Sequence, residues 1–342
     1  MSNEIIHPLG ESQNSGELVP TEGPLTVDTF GGKVHVDWNP DAALTPLGQL
    51  PFFIDYLKTA DLFEPWVEEC PVTWTSPNAP NKCDVLGTVM LSILSGHQRY
   101  AHINALRSDG VNPALLGMEK VVSEDSVRRA FLKMEEVPAV EWLQKHLLRV
   151  TAPLWQLPWV LDVDVTIKTI YGHQEGAEVG YNPHKPGRPS HTFHTYFFSP
   201  LRLVLDVEVQ DGKKGASKYS APGLWALLER IPREHWPALI RGDRDWGTEA
   251  NMQQAEQRDV PYLFKQRLTK NTKRTIERLL VEASWSNAGK GWQGTETQLR
   301  LQGWSQERRI VVLRRKLRRD LMVEEQDDPN PQQLRLRFAE VQ

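Results

Sequence analysis

The order of strand-like and helix-like runs after Pro158 limits the fold of this chain more than any other feature. The strand-like runs are WVLDVDVTIKTI, TFHTYFFSP, LRLVLDVEVQ, WPALIRGD and VPYLFKQRL. A helical run, APGLWALLERI, separates the third from the fourth, and a second one, GTEANMQQAEQRD, separates the fourth from the fifth. Strands joined by short turns pair antiparallel, whereas strands joined through a helix run parallel. The order therefore predicts a mixed sheet in which a three-stranded antiparallel meander precedes two parallel strands.

A mixed sheet with helices crossing between its parallel strands has the order of a ribonuclease-H-like fold. We therefore predict a mixed α/β (α+β) core over residues 158–280. Before it, apolar residues recur at three- and four-residue spacing, which predicts an all-helical region over residues 45–157. Ser123, followed by two acids and an amphipathic run, is expected to cap one of these helices.

The remaining segments are set apart by composition. Residues 1–44 are rich in Gly, Pro, Ser and acids, which indicates an extended acidic arm. Residues 281–320 indicate a basic, β-rich insertion, and residues 321–342 a polar tail that ends on the start of an incomplete return strand.

Charge is distributed unevenly along the chain. Residues 1–70 contain twelve Asp and Glu against two Lys and Arg, whereas residues 263–319 contain four acids against fifteen bases. Trp285, Trp292 and Trp304 are interleaved with these bases. A solvated helix face explains shorter basic runs, but a basic segment with aromatic residues favours a nucleic-acid partner.

Two acidic side chains interrupt the first strand-like run, where charge is costly. Asp162 and Asp164 point to one face because side chains alternate along a strand, and like charges so close need a cation, a proton or open water. Asp243 ends a strand expected beside the first, so Asp164 and Asp243 should meet. Carboxylate oxygens suit hard divalent cations, which stabilise phosphoryl transfer in pairs. The alternative is that these acids are exposed strand-end and turn residues.

The residues also carry a resemblance to a known family. DVDVT, YGHQEGAEVGYNPHKPGRPSH and RGDRDWGTEANMQQAEQRDVPYLFKQRL resemble the DDE transposases of bacterial insertion sequences, whose ribonuclease-H-like domain contains a β-rich insertion. The resemblance covers about residues 85–320 and is densest over Tyr171–Ser190. It implies metal-dependent DNA cleavage and strand transfer on terminal inverted repeats and target DNA. It also implies a helical region, residues 45–157, that binds DNA ends, and a homodimer on DNA in the bacterial cytoplasm or nucleoid.

The metal ligands of that family fall on particular residues here. The family has one Asp on the first strand, ahead of a Thr, and another after the fourth strand. By position, the resemblance implies these roles for Asp164, with Thr166 following, and for Asp243. Asp162 is a candidate auxiliary ligand. The implied cofactor is Mg²⁺ or Mn²⁺, with two ions in a complete site.

The sequence departs from the family pattern at two places. The family commonly has a small residue and an aromatic after the second Asp, whereas Arg244, Asp245 and Trp246 follow here, so Asp245 is a rival for Asp243. The family's third carboxylate is a Glu within a Tyr, Arg, Glu, Lys signature after the insertion, and the last Tyr of this chain, Tyr262, precedes the insertion. The acids beyond it lie in the polar tail or near the chain end: Glu324, Glu325 and Glu340.

The departure at the third carboxylate leads to an expectation about activity. We expect a chain cut short before that Glu, one that binds DNA but does not transpose it. We also expect its core to keep an exposed apolar or unpaired edge that favours association.

The loop YNPHKPGRPS predicts a DNA contact, the alternative being a rigid surface hairpin. Its aromatic face suits base stacking, its cations suit phosphates, and its prolines reduce the entropy lost on docking. With the basic residues near and after the second Asp, the expected DNA contacts are Tyr181, Asn182, Lys185, Arg188, Arg241, Lys265, Arg267 and Lys270.

Two other classes of function stay open. A non-catalytic DNA-binding protein derived from a transposase would recognise the same ends without a third carboxylate, and a ribonuclease-H-like nuclease would ignore inverted repeats. Zinc is disfavoured because the spacing of four histidines matches no usual ligand pattern. These are His173, His184, His191 and His194.

The sequence also bears on location. No apolar run approaches the roughly 20 residues that span a bilayer, and the N-terminus lacks the basic and apolar parts of a signal peptide. Cys70 and Cys83 form neither a disulfide framework nor a zinc knuckle. We therefore expect a cytoplasmic protein with no membrane partner.

Overall fold

The structure is a computed structural model that describes residues 25–29, 32–36, 41–74 and 76–316. Contacts divide the chain into two units, Met1–Trp142 and Leu143–Gln342. The polar tail, with the acids proposed there, lies outside the described residues.

The first unit contains a β-hairpin and a set of helices. The hairpin strands are β1 (Leu25–Thr29) and β2 (Gly32–Val36), paired antiparallel. The helices are α1 (Leu50–Thr59), α2 (Phe63–Glu68), α3 (Lys82–Leu94), α4 (Asn112–Leu115), α5 (Glu124–Leu132) and α6 (Glu136–Thr151), with a 3₁₀ segment at Tyr100–Ser108. The helical pattern predicted over this region is therefore present.

Side-chain caps and apolar packing explain these helices. Ser123 caps α5 as predicted, because its hydroxyl accepts from the Ser126 backbone N–H at 3.2 Å. Asn81 caps α3 in the same way through Asp84 N–H, at 2.6 Å. The ring of Trp142 stacks on Trp66 at 5.1 Å between centroids, within a cluster of buried apolar side chains.

The second unit is built on one mixed sheet and one smaller sheet. The strands are β3 (Val160–Thr169), β4 (Glu178–Val179), β5 (Pro189–Phe198), β6 (Leu203–Asp211), β7 (Leu239–Gly242), β8 (Tyr262–Phe264), β9 (Ser286–Gly289), β10 (Trp292–Leu299) and β11 (Arg308–Arg315). The helices are α7 (Ser217–Glu229), α8 (Glu249–Gln257) and α9 (Lys270–Glu282).

The mixed sheet has the predicted ribonuclease-H-like order. β5 pairs antiparallel with β3 on one side and with β6 and the short β4 on the other. β7 lies parallel to β3, and β8 lies parallel to β7. An antiparallel meander is thus followed by two parallel strands reached through α7 and α8, as the order of the sequence runs predicts.

The core of this unit lies on one face of the sheet. Leu161 and Val163 of β3 pack with Leu224 and Leu228 of α7, and Trp246 joins the same cluster. The division between the units falls at Trp142, within α6, rather than at the predicted residue 157. The reason is that Leu148, Ala152, Leu154 and Trp155 pack against this second core.

A buried polar network holds α7 to the sheet. The Tyr196 hydroxyl lies 2.8 Å from the Ser220 carbonyl oxygen and 3.1 Å from the Glu208 carboxylate. Burial raises the pKa of both Tyr196 and Glu208. A Cβ on Gly223 would fall 1.4 Å from the Glu208 carboxylate, so this helix position needs glycine.

Replacing Gly223 with Ala is expected to lower the free energy of unfolding by about 1–3 kcal/mol, because the methyl group overpacks the network. Gly215→Ala is the matched control, since its added Cβ would meet only Thr192, at an ordinary 3.5 Å. Denaturant unfolding of both variants measures the difference. Equal stabilities would show that α7 moves away from the sheet at little cost.

The smaller sheet is built from β9, β10 and β11, which lie within residues 286–315. β10 pairs antiparallel with both β9 and β11. Arg314 lies over the Trp285 ring at 3.9 Å, and Arg315 over the Trp292 ring at 4.9 Å. The interleaved bases and aromatics of the sequence therefore contact one another in cation–π pairs.

Among the described strands, β6 has a partner on one side only. Val207 and Val209 of β6 are 39 % and 55 % exposed. This strand therefore carries exposed apolar side chains, and the edge expected at the end of the core, with its role in association, stays a prediction. In the described part of the chain, no helix has the length and apolar character to cross a membrane.

Candidate active site

Strand register brings the two predicted acids together. In the parallel pair of β3 and β7, Asp162 is opposite Arg241 and Val163 is opposite Gly242. Asp164 follows the last pair on β3, and Asp243 follows it in the turn after β7. Both residues are exposed and line the same cleft. The two acids therefore lie at the same end of the β3–β7 pairing, although their positions differ by 79 in sequence.

The local hydrogen bonds of the two acids leave oxygen atoms for other partners. Asp164 Oδ1 accepts from the Val165 backbone N–H at 2.8 Å, and Asp243 Oδ1 accepts from the Asp245 backbone N–H at 2.9 Å. Within the described part of the chain, no hydrogen bond reaches Oδ2 of either residue. One carboxylate oxygen of each side chain is open to the cleft.

Asp162 is engaged differently from Asp164, although both lie on one face of β3. Arg241 donates from Nε to Asp162 Oδ1 at 2.7 Å and from Nη2 to Oδ2 at 2.6 Å. This bond with Asp162 raises the pKa of Arg241. Both oxygens of Asp162 thus accept from Arg241, and the role of Asp162 as an auxiliary metal ligand stays a prediction. The pairing also explains how two acids share one strand face.

Asp245 is the alternative to Asp243 as the second acid of the site, and its side chain is bonded to neighbouring protein groups. Its carboxylate accepts from the Ser217 backbone N–H and forms an ion pair with Arg267. Both oxygens therefore have protein donors, whereas Asp243 keeps one open oxygen. The structure favours Asp243 as the second acid of the site.

The cleft that contains Asp164 and Asp243 has a volume of about 1960 Å³. Its walls come from the strand ends, from the start of α9 and from the smaller sheet. Six of the sequence-predicted site residues line it: Asp164, Tyr181, Arg241, Asp243, Lys265 and Arg267. Lys213, in the turn after β6, lines it as well and was not anticipated, although the basic turn DGKKG is a signal for it.

The other predicted DNA contacts lie outside the lining of this cleft. Lys185, Arg188 and Lys270 are exposed, and Arg188 lies over the Tyr171 ring at 5.4 Å. Asn182 is 5 % exposed, donates to Thr169 Oγ1 at 2.9 Å and accepts two backbone N–H groups of its own loop. These bonds show that Asn182 shapes its loop, and its contact with DNA stays a prediction.

Arg308 of β11 joins the smaller sheet to α8 on the far wall of the cleft. Its guanidinium, 5 % exposed, donates to Glu249 and Glu256, each at 2.6 Å. The bonds from Arg308 lower the pKa of Glu249 from 4.5 to about 2. Sequence reasoning missed this contact because its partners are more than 50 residues apart and no local pattern links them.

Replacing Arg308 with Met is expected to destabilise the attachment of the smaller sheet by about 3–5 kcal/mol, because two half-buried carboxylates lose their partner. Arg309→Met is the matched control, since its pair with Glu296 is exposed and worth at most about 1 kcal/mol. Hydrogen exchange over β9–β11 measures the loss. Equal exchange in the two variants would contradict the role of Arg308.

The bonds between Arg308 and Glu249 also predict the direction in which the stability of this attachment changes with pH. A carboxyl with a lowered pKa stabilises the fold above its ordinary pKa, and that contribution disappears as the pH falls through the folded value. The attachment should therefore weaken between about pH 4.5 and pH 2, the values for free and bound Glu249. Arg308→Met should flatten this part of the stability profile, and an unchanged profile would exclude Glu249 as its source.

The described residues contain no complete set of metal ligands. In the ranges given above, no group of three or more His, Cys, Asp or Glu side chains is placed to hold a metal ion. Glu324, Glu325 and Glu340, the later acids considered for a third ligand, lie outside those ranges.

A known protein family matches most of the chain by sequence. A sequence model of the family described as transposase DDE domain group 1 matches residues 80–324. No curated protein matches the chain.

Solved structures show weaker likenesses. A piggyBac transposase synaptic complex with hairpin DNA is 10 % identical with a TM-score of 0.30, covering 76 % of this chain and 51 % of that one. A Mos1 transposase paired-end complex with left transposon end is 9 % identical with a TM-score of 0.23, covering 70 % and 81 %. The chain thus spans about half the length of the piggyBac protein it resembles.

Proposed function

The chain belongs to the transposase DDE domain group 1 family, and from that membership we propose that it binds the ends of a mobile DNA element and catalyses metal-dependent cleavage and strand transfer there. The observation that supports the proposal is that Asp164, in the middle of β3, and Asp243, directly after the end of β7, line one cleft together with basic residues. The element is a bacterial insertion sequence, and its terminal inverted repeats and the target DNA are the substrates.

The two acids fit a divalent cation in the chemistry of their donor atoms. Mg²⁺ and Mn²⁺ prefer oxygen ligands, keep several waters and are commonly bound through one or two carboxylates plus substrate phosphate. Each of Asp164 and Asp243 offers such an oxygen from an exposed position. When bound, such ions supply charge neutralisation at the scissile phosphate, and a complete site is expected to hold two.

The chain's own residues orient the DNA around these acids. Lys265 and Lys213 line the cleft as phosphate partners, and Tyr181, 74 % exposed, offers a face on which a base stacks. Arg267 and Arg241 are held by Asp245 and Asp162, so their cationic groups are fixed before DNA arrives.

Basic residues outside the cleft extend this surface. Lys185, Arg188 and Lys270 are exposed and are proposed to contact the phosphate backbone. Such contacts position the DNA, whereas contacts with base edges select its sequence. We further propose that residues 45–157 contribute to binding the element ends, that the protein acts as a homodimer on DNA, and that it works in the bacterial cytoplasm or nucleoid.

A second candidate function is DNA binding without catalysis. The observation that favours it is that, among the described residues, no group of three or more His, Cys, Asp or Glu side chains is placed to hold a metal ion. A ribonuclease-H-like nuclease with no preference for element ends is a further alternative on the same fold.

One experiment separates these functions. Purified protein is incubated with labelled DNA carrying the element's terminal inverted repeats or a scrambled sequence, with Mg²⁺, Mn²⁺ or EDTA. Metal-dependent nicking at the repeat boundary and joining to a target plasmid support the transposase. Tight, specific binding without nicking supports the DNA-binding candidate, and nicking of both DNAs alike supports the nuclease.

A further inference from the structure

The turn between β7 and α8, residues 242–247, is held by elements from three parts of the second unit. The Asp243 carbonyl accepts from the Trp246 N–H at 3.2 Å, which closes the turn. The Gly242 carbonyl accepts from the Lys265 N–H at 3.1 Å, which ties the turn to the segment after β8. Trp246 is 1 % exposed within the core. The backbone that presents Asp243 is therefore fixed on both sides.

Asp245 makes more of these connections than any other residue of the turn. Its carboxylate accepts from the Ser217 N–H at the first residue of α7 and pairs with Arg267. Its carbonyl accepts from the Ser217 hydroxyl at 2.7 Å, and its own N–H donates to Asp243 Oδ1 at 2.9 Å. Asp245 thus links α7 and the segment before α9 directly to the carboxylate of Asp243.

The Ser217 side of this link is buried and fully bonded. Asn251 of α8, 4 % exposed, donates to the Ser217 hydroxyl at 3.0 Å and to the Trp246 carbonyl at 3.3 Å. Asn251 thus holds Ser217, the partner of Asp245, and Trp246, the next residue of the turn, in fixed positions. Side chains held by several hydrogen bonds keep one orientation, and a side chain that binds a metal ion has to keep one orientation.

We propose that Asp245 is a positioning residue that fixes the Asp243 carboxylate beside Asp164, a role that deepens the proposed metal-dependent function and rests on it. Asp245 contacts neither substrate nor metal in this proposal. Its negative charge also holds Arg267 at the cleft wall, so that one residue sets the place of an acid and of a cation of the site.

The variant Asp245→Asn tests the role with little change of size. Ser217 N–H and Arg267 are both donors, whereas an Asn side chain offers one acceptor oxygen, so one contact is lost. Arg267→Gln removes the charged pair alone and should give a smaller effect in the same direction. The matched control is Asp259→Asn, an exposed residue at φ 51°, a conformation that Asn tolerates.

Crystal structures of the metal-free variants give the first measurement, and Mn²⁺ titration of the full chain gives the second. The proposal expects the Asp243 carboxylate to move away from Asp164 in Asp245→Asn while the sheet superposes, with Mn²⁺ affinity lowered about 10- to 100-fold. An unmoved Asp243 overturns the proposal, whatever happens to affinity.

The two measurements also separate this proposal from the proposed function. If the parent chain binds no Mn²⁺ but Asp243 moves in Asp245→Asn, the metal-dependent function fails and the positioning role stands. If Asp245→Asn does not fold, Arg267→Gln decides the matter: a displaced Asp243 supports the role, and an unmoved one overturns it.

Discussion

Replacing Asp164 or Asp243 with Asn is expected to lower metal-dependent cleavage of element-end DNA by about a thousandfold or more. Each replacement removes a charged ligand, and the stabilisation of transition-state charge lost with it is worth several kcal/mol. Both side chains are exposed, so the thermal midpoint of unfolding should stay within about 2 °C of the parent value. The measurements are single-turnover cleavage in Mg²⁺ and in Mn²⁺, Mn²⁺ titration, and thermal unfolding.

Two comparisons sharpen this test. The double variant should be about as inactive as either single variant, because residues that act as one unit are not additive. Asp259→Asn should cleave like the parent chain. Unchanged Mn²⁺ affinity in both single variants would remove Asp164 and Asp243 from the site.

DNA binding is expected to weaken steeply with salt. If six to ten phosphates are neutralised, affinity should fall by about 10³- to 10⁵-fold between 50 and 200 mM salt, because each contact releases counterions. The basic residues available for this are those of the cleft wall, of the loop before β5, and of α9 and the smaller sheet. Fluorescence anisotropy over a salt series measures the slope.

Variants of the loop test which residues contribute. Lys185→Ala and Arg188→Ala should each reduce the salt slope by about one and weaken binding to all sequences alike. Arg202→Asn is the control, a basic residue in the turn before β6 whose φ of 54° suits Asn. A salt-independent affinity, or equal effects of the control, would contradict the proposed surface.

Local patterns predicted the elements of the catalytic fold well because they depend on residues close in sequence. The strand-like runs correspond to β3, β5, β6, β7 and β8, and the two helical runs correspond to α7 and α8. The prediction extended the last strand over VPYLFKQRL, whereas β8 ends at Phe264, because its parallel partner β7 ends at the paired residue Gly242. Helix α9 was missed because its basic residues were interpreted by charge alone, although Thr269 caps it.

The sequence by itself determined that a ribonuclease-H-like sheet would form and that the strand containing Asp164 would lie beside the strand that Asp243 follows. Strand order and side-chain alternation follow from backbone geometry, which repeats locally. The tertiary structure decided which of the described carboxylates keep an oxygen atom without a protein hydrogen-bond donor. Asp162 is paired with Arg241, Asp245 with Ser217 and Arg267, and Glu249 with Arg308. Each of these partners is at least 22 residues away in sequence. Whether a carboxylate is free or paired depends on distances of a few ångströms between such partners, and only the packing of the whole unit sets those distances.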